Sequence, residues 1–248
     1  MQWLKTWKGF KLDGDVFASA CKSGNLKAVK WLRRKGGCPW NASACTSAAM
    51  CGHLEVLKWL RSEICPWSEW ACRGAARFGY LEVLKWLRSE GCPWDEVACS
   101  HAAEGGHLEM LKWLRSKGCP WDEDACWMAA KGGHLEMLKW LRSEGCPWDK
   151  YACAGAAQGG HLETLKWLRS EGCPLDDAWT WTCTYAAKGG HLEVLKWLRS
   201  EGCPWDKNTC SYAAEGGHLD VLEWAIDNGC PYEVNGRTRP ALESLGLA

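Results

Sequence analysis

Hydrophobic and polar positions along the chain follow a unit of 27 residues, which is clearest over residues 122–148. In its first part, small apolar residues recur with helical spacing at Ala125, Cys126, Ala129 and Ala130. The second part has a broad apolar side and a narrow polar side, again with the spacing of a helix. The pattern predicts two helices per unit, the first with a stripe of small residues and the second with a wide buried face.

Residues that favour helix ends mark the boundaries of both predicted helices. Asp122 suits an N-cap because its carboxylate can accept hydrogen bonds from the free N–H groups of the first turn. Gly133 ends the first helix, and His134 opens the second. Gly145 and then Pro147 stop the second helix, since glycine accepts the left-handed backbone and proline cannot continue a helix.

The unit recurs eight times, and the residues that open the second helices are separated by steps of 28, 27, 27, 27, 27, 30 and 27. The long sixth step comes from an insertion around residues 177–181. The segments outside the eight repeats are predicted to be caps. Residues 1–12 are predicted to form a half-repeat cap, which we favour over a membrane-binding helix, and residues 233–248 are predicted to form a C-terminal cap.

The predicted repeats are 13–40, 41–67, 68–94, 95–121, 122–148, 149–175, 176–205 and 206–232. Their predicted N-caps are Asp13, Asn41, Ser68, Asp95, Asp122, Asp149, Asp176 and Asp206.

Composition excludes several classes of function. The 248 residues include 30 basic and 30 acidic side chains, and this zero net charge argues against nucleic acid or an anionic membrane as the main partner. No apolar run reaches the ~18 residues of a membrane span. The 17 cysteines are odd in number and include no C-x-x-C pair, so we expect free thiols in the cytoplasm or another reducing compartment.

The sequence shows no catalytic signature. It has no H-E-x-x-H segment, phosphate-binding loop or serine elbow, and the histidines that open the second helices follow the repeat rather than a set of catalytic partners. We therefore expect no enzyme activity, no cofactor and no metal site.

Cysteine and tryptophan each fall into two series in register with the repeat. One cysteine series lies in the first helices and the other in the turns, both at apolar positions, so we predict that they are buried and reduced. Equivalent cysteines of neighbouring repeats are expected roughly 8–10 Å apart, too far for a disulfide. One tryptophan series lies on the second helices and the other follows proline in the turns, and we favour a core role for both over ligand binding.

The repeated core resembles the ankyrin repeat. The stretch AAEGGHLEMLKWLRSKGC at residues 102–119 matches the family pattern TPLHxAA, GHLEVVKLLL and a Gly-Ala-Asp turn, and the match recurs over residues 13–232. Cys126 stands in place of the leucine of TPLH, Trp140 replaces a leucine of the second helix, and Cys146 replaces the turn alanine. Each unit is about six residues shorter than the usual ~33, and the missing residues are those of the β-hairpin finger. The resemblance, to a short Cys-Pro-Trp type of repeat, implies an all-α helical-hairpin solenoid of eight repeats with atypical end caps.

Four positions of each first helix vary among the repeats, and they point away from the stripe of small residues. We expect them to line a concave side and to form a continuous exposed aromatic strip on repeats three to eight, with the inserted stretch acting as a local finger. The residue types collected there are those that dominate binding hot spots. The alternative is that neighbouring first helices bury these rings between them. The candidate partner-binding residues are Trp70, Arg73, His101, Trp127, Met128, Tyr151, Trp179, Trp181, Tyr185 and Tyr212.

These observations predict a non-catalytic protein–protein interaction or scaffold module, either a monomer alone or a subunit of a complex. A purely structural linker subunit is the alternative, and a thiol sensor or metal buffer is a third. One turn departs from the pattern, since Ile64 stands where the other repeats have glycine. Either the backbone avoids a positive φ at this residue or strain is stored there.

Overall fold

The computed structural model describes residues 12–174 and 179–247, and this part of the chain contains seventeen α-helices and no strand. The predicted all-α fold of helical hairpins is thereby confirmed. Nearly all of the predicted N-terminal half-repeat cap lies outside the described residues, as does the predicted N-cap Asp176. The chain divides into two compact units, Met1–Pro120 and Trp121–Ala248.

The first unit contains four helical hairpins, each made of a first helix with small apolar residues and a second helix rich in leucine. Its helices are α1 (Gly14–Lys22), α2 (Leu26–Arg34), α3 (Ala42–Met50), α4 (Leu54–Ser62), α5 (Glu69–Arg77), α6 (Leu81–Ser89), α7 (Glu96–Glu104) and α8 (Leu108–Ser116).

The second unit contains four further hairpins and a short final helix, which lies within residues 233–248. Its helices are α9 (Glu123–Lys131), α10 (Leu135–Ser143), α11 (Tyr151–Gly159), α12 (Leu162–Ser170), α13 (Trp179–Lys188), α14 (Leu192–Ser200), α15 (Lys207–Glu215), α16 (Leu219–Asp227) and α17 (Arg239–Ser244). None of the described helices in either unit is long and apolar enough to cross a membrane.

Within each unit, neighbouring first helices pack directly against one another. Their alanines and cysteines are fully buried, as at Ala129 and Cys126, and the second helices contribute buried leucines such as Leu138 and Leu141. Small residues let the first helices approach closely, while the larger leucines fill the space beneath them. The stripe of small residues and the wide apolar face predicted from the sequence are both in the core.

Most predicted N-caps begin a helix, but they do not all use their side chains in the same way. The Asp122 carboxylate accepts a hydrogen bond from the Asp124 N–H at 3.2 Å. Asp149 lies one residue before the assigned cap Lys150, yet its carboxylate accepts from the Tyr151 N–H at 2.9 Å. The side chains of Ser68 and Asp95 make no cap hydrogen bond, although their backbone is extended as a cap requires.

The histidines that open the second helices tie successive repeats together. The His218 Nε2 atom lies 3.1 Å from the carbonyl oxygen of Lys188 in the preceding repeat. Its ring rests on Gly190, where a Cβ atom would come within 2.4 Å of the imidazole and where φ is 75°. Gly190 is thus required both by the backbone conformation and by the neighbouring ring, and Gly160 meets the ring of His191 in the same way.

The two tryptophan series meet between repeats. Trp140 packs edge-on against Trp121 of the preceding turn, with ring centroids 6.0 Å apart, and the other described pairs have centroids 5.8 to 6.2 Å apart. The guanidinium of Arg142 lies 4.1 Å from the Trp148 centroid and donates to the Cys146 carbonyl at 2.5 Å. These rings have a packing role, as the sequence predicts.

The two cysteine series also meet, which the sequence reasoning missed because it compared only equivalent cysteines. Within one repeat, Cys45 of α3 and Cys65 of the turn share a hydrogen bond, which together with burial raises the pKa of Cys45. The Cys146 thiol also donates to the Asp122 carbonyl at 3.4 Å, closing the repeat. Every cysteine is a free thiol, and all are buried except Cys51, which is half-buried.

The turn at Ile64 takes the strained form. Its φ of 62° is the only positive value at a non-glycine residue in the described part of the chain. The side chain is 84% exposed, so no burial offsets the left-handed backbone. Of the two alternatives left by the sequence, the structure therefore selects stored strain.

Candidate functional site

The variable positions of the first helices lie two, five, six and nine residues after the N-cap in the regular repeats. We call their side chains the first-helix face. These positions point away from the buried stripe of small residues. Their larger side chains are exposed or half-buried, whereas small ones such as Ser100 and Ala154 are buried between neighbouring helices. The two units use this face differently.

In the first unit, an aromatic and a cationic side chain of the face bind each other and the N-cap carboxylate of the next repeat. The Arg73 guanidinium lies 4.5 Å from the centroid of the Trp70 ring and forms a two-point ion pair with Asp95, whose Nε–Oδ1 distance is 3.0 Å. This carboxylate raises the pKa of Arg73. Trp70 remains 53% exposed, but the cation beside it is supplied by the chain itself.

His101 is half-buried next to this ion pair. Its Nδ1 atom lies 3.3 Å from the Arg73 carbonyl oxygen. Burial lowers the pKa of His101 below its ordinary value, so the imidazole is neutral at pH 7. Arg73 and His101 therefore contribute to the internal packing of the first unit.

In the second unit, the same positions surround an open groove of about 250 Å³ that spans three repeats. Its lining is formed by Asp124, Trp127, Tyr151, Ala154, Gln158 and Tyr185. Tyr151 is 48% exposed, and the rings of Trp127 and Tyr185 are half-buried. Helices α9, α11 and α13 thus each contribute at least one aromatic ring to the same groove.

A glycine on α11 brings the Trp127 ring close to the helix backbone. A Cβ atom at Gly155 would lie 2.6 Å from Trp127 Cδ1 and 2.8 Å from its carbonyl oxygen. Glycine inside a helix is destabilising by roughly 1 kcal/mol relative to alanine. Gly155 offsets this loss by giving the indole room beside Ala154, so that the floor of the groove is made of small residues.

Asp124 gives the groove a negative charge. Although Asp124 is exposed, partial desolvation of its carboxylate raises its pKa, and the neighbouring carboxylates of Glu123 and Asp149 raise it further. Within the described part of the chain, Asp124 has no ion pair. The ammonium groups of Lys131 and Lys150 lie 5.5 and 5.8 Å from the Trp127 and Tyr151 centroids, but neither lysine lines the groove.

The remaining candidates lie outside this groove. Trp181 is 48% exposed on the first turn of α13, and Tyr212 is half-buried with the Lys188 ammonium 5.3 Å from its centroid. Met128 is half-buried on α9. Trp179 begins α13, and its side chain lies outside the described residues.

Two expectations about this face are wrong. The inserted stretch does not form a finger in its described part, because residues 179–181 belong to helix α13. The aromatic strip is not continuous over repeats three to eight, because the first helix of repeat four, Glu96–Glu104, carries no aromatic ring apart from half-buried His101. The exposed rings of this face are instead Trp70 in the first unit and Tyr151 and Trp181 in the second.

Sequence reasoning missed Ala154, Gly155 and Gln158 as groove residues. The stripe of small residues made Ala154 and Gly155 look like ordinary core positions. The signal that could have found Gly155 is its unfavourable place inside a helix, which calls for a packing reason. Gln158 carries no comparable signal in a single sequence.

The described residues contain no cluster of three or more histidine, cysteine, aspartate or glutamate side chains able to hold a metal ion. What the groove offers is a set of aromatic faces, a carboxylate and a side-chain amide. These groups support binding by stacking, charge attraction and hydrogen bonding.

Comparisons with known proteins concern the repeats rather than the groove. A family model described as "Ankyrin repeats (3 copies)" matches residues 72–152 and 126–209, and another described as "Ankyrin repeats (many copies)" matches residues 17–61. The crystal structure of the human ASB11 ankyrin repeat domain is similar, with 20% identity and a TM-score of 0.49 over 71% of this chain and 90% of that chain. No curated protein matches the sequence.

Proposed function

The chain belongs to the ankyrin-repeat family, and from that membership we propose that it is a non-catalytic protein-binding module that contacts its partner through the first-helix face of its second unit. Ankyrin repeats generally mediate protein–protein interaction. The observation that carries the proposal is the groove in which Trp127, Tyr151 and Tyr185 converge on Asp124.

The size and chemistry of the groove fit part of a protein partner. Sites for drug-sized molecules usually enclose ~300–1,000 Å³, whereas this groove of about 250 Å³ suits a single side chain. Exposed tryptophan and tyrosine beside it supply large contact areas with few rotatable bonds. A partner would therefore place one anchoring side chain in the groove and lie across neighbouring rings such as Trp181.

The structural-linker alternative has less support. A linker subunit would be expected to present aromatic contacts on both faces, but the second-helix tryptophans are already paired with those of the turns. A thiol sensor requires accessible thiols of low pKa. Burial raises the pKa of Cys21 to about 12. Hydrogen bonds from the first-helix cysteines lower the pKa of turn cysteines such as Cys65 and Cys92, but these thiols are fully buried and therefore not accessible. Free thiols are typical of proteins in a reducing compartment, and we propose that this protein functions in one.

The test is partner capture by the full chain and by a Trp127→Ala, Trp181→Ala double variant. We expect the double variant to lose the partner while its free energy of unfolding changes little, because both rings are partly exposed. Trp70→Ala is the matched control, since that ring is exposed on the first unit, and it should keep the partner.

Two results would contradict the proposal. One is capture that is unchanged in the double variant. The other is a loss of ~3–5 kcal/mol of stability, as expected on truncating a core tryptophan, which would show that the rings are structural.

A further inference from the structure

In the first unit, an aromatic ring of this face and the N-cap carboxylate of the next repeat together bind an arginine of the chain itself. Arg73 stands five residues after its N-cap, stacks over Trp70 and pairs at two points with Asp95. Trp127 occupies the equivalent position in repeat five of the second unit. There the chain provides more aromatic surface and a carboxylate but no arginine of its own in the lining.

We propose that the groove of the second unit binds the guanidinium of an arginine side chain from a partner polypeptide, an inference that rests on the proposed function. The planar cation would lie against the aromatic rings and form hydrogen bonds to Asp124. It would take the part that Arg73 plays in the first unit.

The other classes of side chain fit the groove less well. An acidic side chain would be repelled by Asp124 and by its neighbours Glu123 and Asp149. An apolar side chain would bury the Asp124 carboxylate without a partner, which is unfavourable. A lysine can approach the rings, but its compact ammonium neither stacks as a plane nor forms a two-point contact with a carboxylate.

The lack of an ion pair at Asp124 among the described residues supports the inference. No cation of the described chain pairs with this carboxylate, whose pKa is raised by partial desolvation first and by nearby carboxylates second. A bound guanidinium would supply that cation in surroundings partly screened from water by three rings. The ammonium groups of Lys131 and Lys150 lie 5.5 and 5.8 Å from the Trp127 and Tyr151 centroids, and neither lysine lines the groove.

The probe is a set of linear peptides selected from a random displayed library by the full chain. We expect arginine to be enriched at one position of the selected peptides. One synthetic binder would then be compared by calorimetry with its arginine→citrulline and arginine→lysine forms. Citrulline removes the charge at nearly constant shape, and we expect affinity to fall about tenfold or more.

Variants of the protein locate the contact. Asp124→Asn should weaken the arginine peptide by about tenfold, while it should leave the citrulline peptide nearly unchanged, since the two groups are predicted to interact directly. Trp127→Ala and Tyr185→Ala should also weaken binding. Trp70→Ala is the control and should have no effect.

The outcomes separate the inference from the proposed function. Peptides that lack arginine, equal affinity of the lysine or citrulline form, or indifference to Asp124→Asn would overturn the arginine site, and so would a selection that yields no peptide. If a selected peptide fails one of these tests for arginine but loses its binding in Trp127→Ala, the proposed function stands. If the selected peptides bind Trp127→Ala and Tyr185→Ala as tightly as the unaltered chain, both are overturned.

Discussion

The two units use the same helix positions for opposite purposes. In the first unit, Arg73 covers Trp70 and neutralises Asp95, so the charges of the face are paired within the chain. In the second unit, Trp127 replaces arginine at the equivalent position and Asp124 is left without an ion pair among the described residues. The same framework can therefore pair the charges of this face within the chain or leave a carboxylate unpaired, depending on the residues two and five positions after the N-cap.

The framework itself hardly differs between the units. Cys119 and Cys146 both donate to the carbonyl of their repeat's N-cap, and the tryptophan pairs have nearly the same spacing in both units. A solenoid of near-identical repeats therefore leaves its variable positions free to change with little effect on the core.

The largest expected effect is the loss of the internal ion pair. Arg73→Ala removes two charge-assisted hydrogen bonds from Asp95 in partly buried surroundings, and we expect it to lower the free energy of unfolding by about 1.5–3 kcal/mol. The matched variant Trp127→Ala in the second unit should cost less, because its ring is partly open to solvent. Chemical denaturation measures the free energy of unfolding of both variants. A smaller loss for Arg73→Ala than for Trp127→Ala would contradict the difference proposed between the two units.

The second prediction uses the two helical glycines of the face. A Cβ at Gly155 would meet the Trp127 carbonyl at 2.8 Å, whereas at Gly74 its close contact is with the Met50 side chain, at 2.5 Å. Gly155→Ala should destabilise the protein by about 1–3 kcal/mol, because backbone atoms cannot move aside. Gly74→Ala should be neutral or stabilising by up to ~1 kcal/mol, because methionine is flexible and alanine favours helix.

Thermal unfolding of both glycine variants provides the measurement. Equal effects at the two positions would show that Trp127 is not seated against the α11 backbone. Such a result would mean that the small residues of α11 do not form the floor of the groove.

The third prediction concerns the turns that end the second helices. Ile64→Gly should stabilise the protein by about 1 kcal/mol or more, since glycine accepts φ of 62° without strain. The reverse change in the second unit, Gly145→Ile, should destabilise it by a similar amount, because Gly145 has φ of 77°. A melting temperature of Ile64→Gly equal to or below that of the unaltered chain would reject stored strain.

The smallest expected effect is that of Asp124→Asn on stability. The folded-state pKa of Asp124 is raised above its ordinary value of 3.8. Its stabilising contribution is therefore present below that value and is lost as pH rises through the folded pKa. At neutral pH, Asp124→Asn should be as stable as the unaltered chain or slightly more stable, and this difference should vanish in acid. A clear loss of stability at neutral pH would mean that Asp124 has a cationic partner within the chain.

Periodicity alone predicted most of the fold. Repeated alanines and leucines identified both helices of each hairpin, because burial recurs every three to four residues in a helix. Glycine and aspartate marked the ends, and the unusual Ile64 was visible because seven other repeats provide the comparison. These features depend on local chemistry, which a single sequence displays.

The site was predicted only in part, because its geometry depends on contacts between repeats. Single-residue patterns identified Trp127, Tyr151 and Tyr185, but they did not show that Arg73 is engaged by Asp95, some 22 positions away. The insertion before Tyr185 suggested a finger. Its described part, residues 179–181, instead forms the first turn of helix α13 because no residue there breaks a helix.

The most direct test of the central claim is hydroxyl-radical footprinting of the full chain, alone and bound to its captured partner. This measurement reports the solvent accessibility of individual aromatic side chains in both units. We predict that the partner protects Trp127, Tyr151 and Tyr185 and leaves Trp70 as reactive as in the free chain. Protection confined to Trp70 or to the second-helix tryptophans, with the groove residues unchanged, would contradict the account.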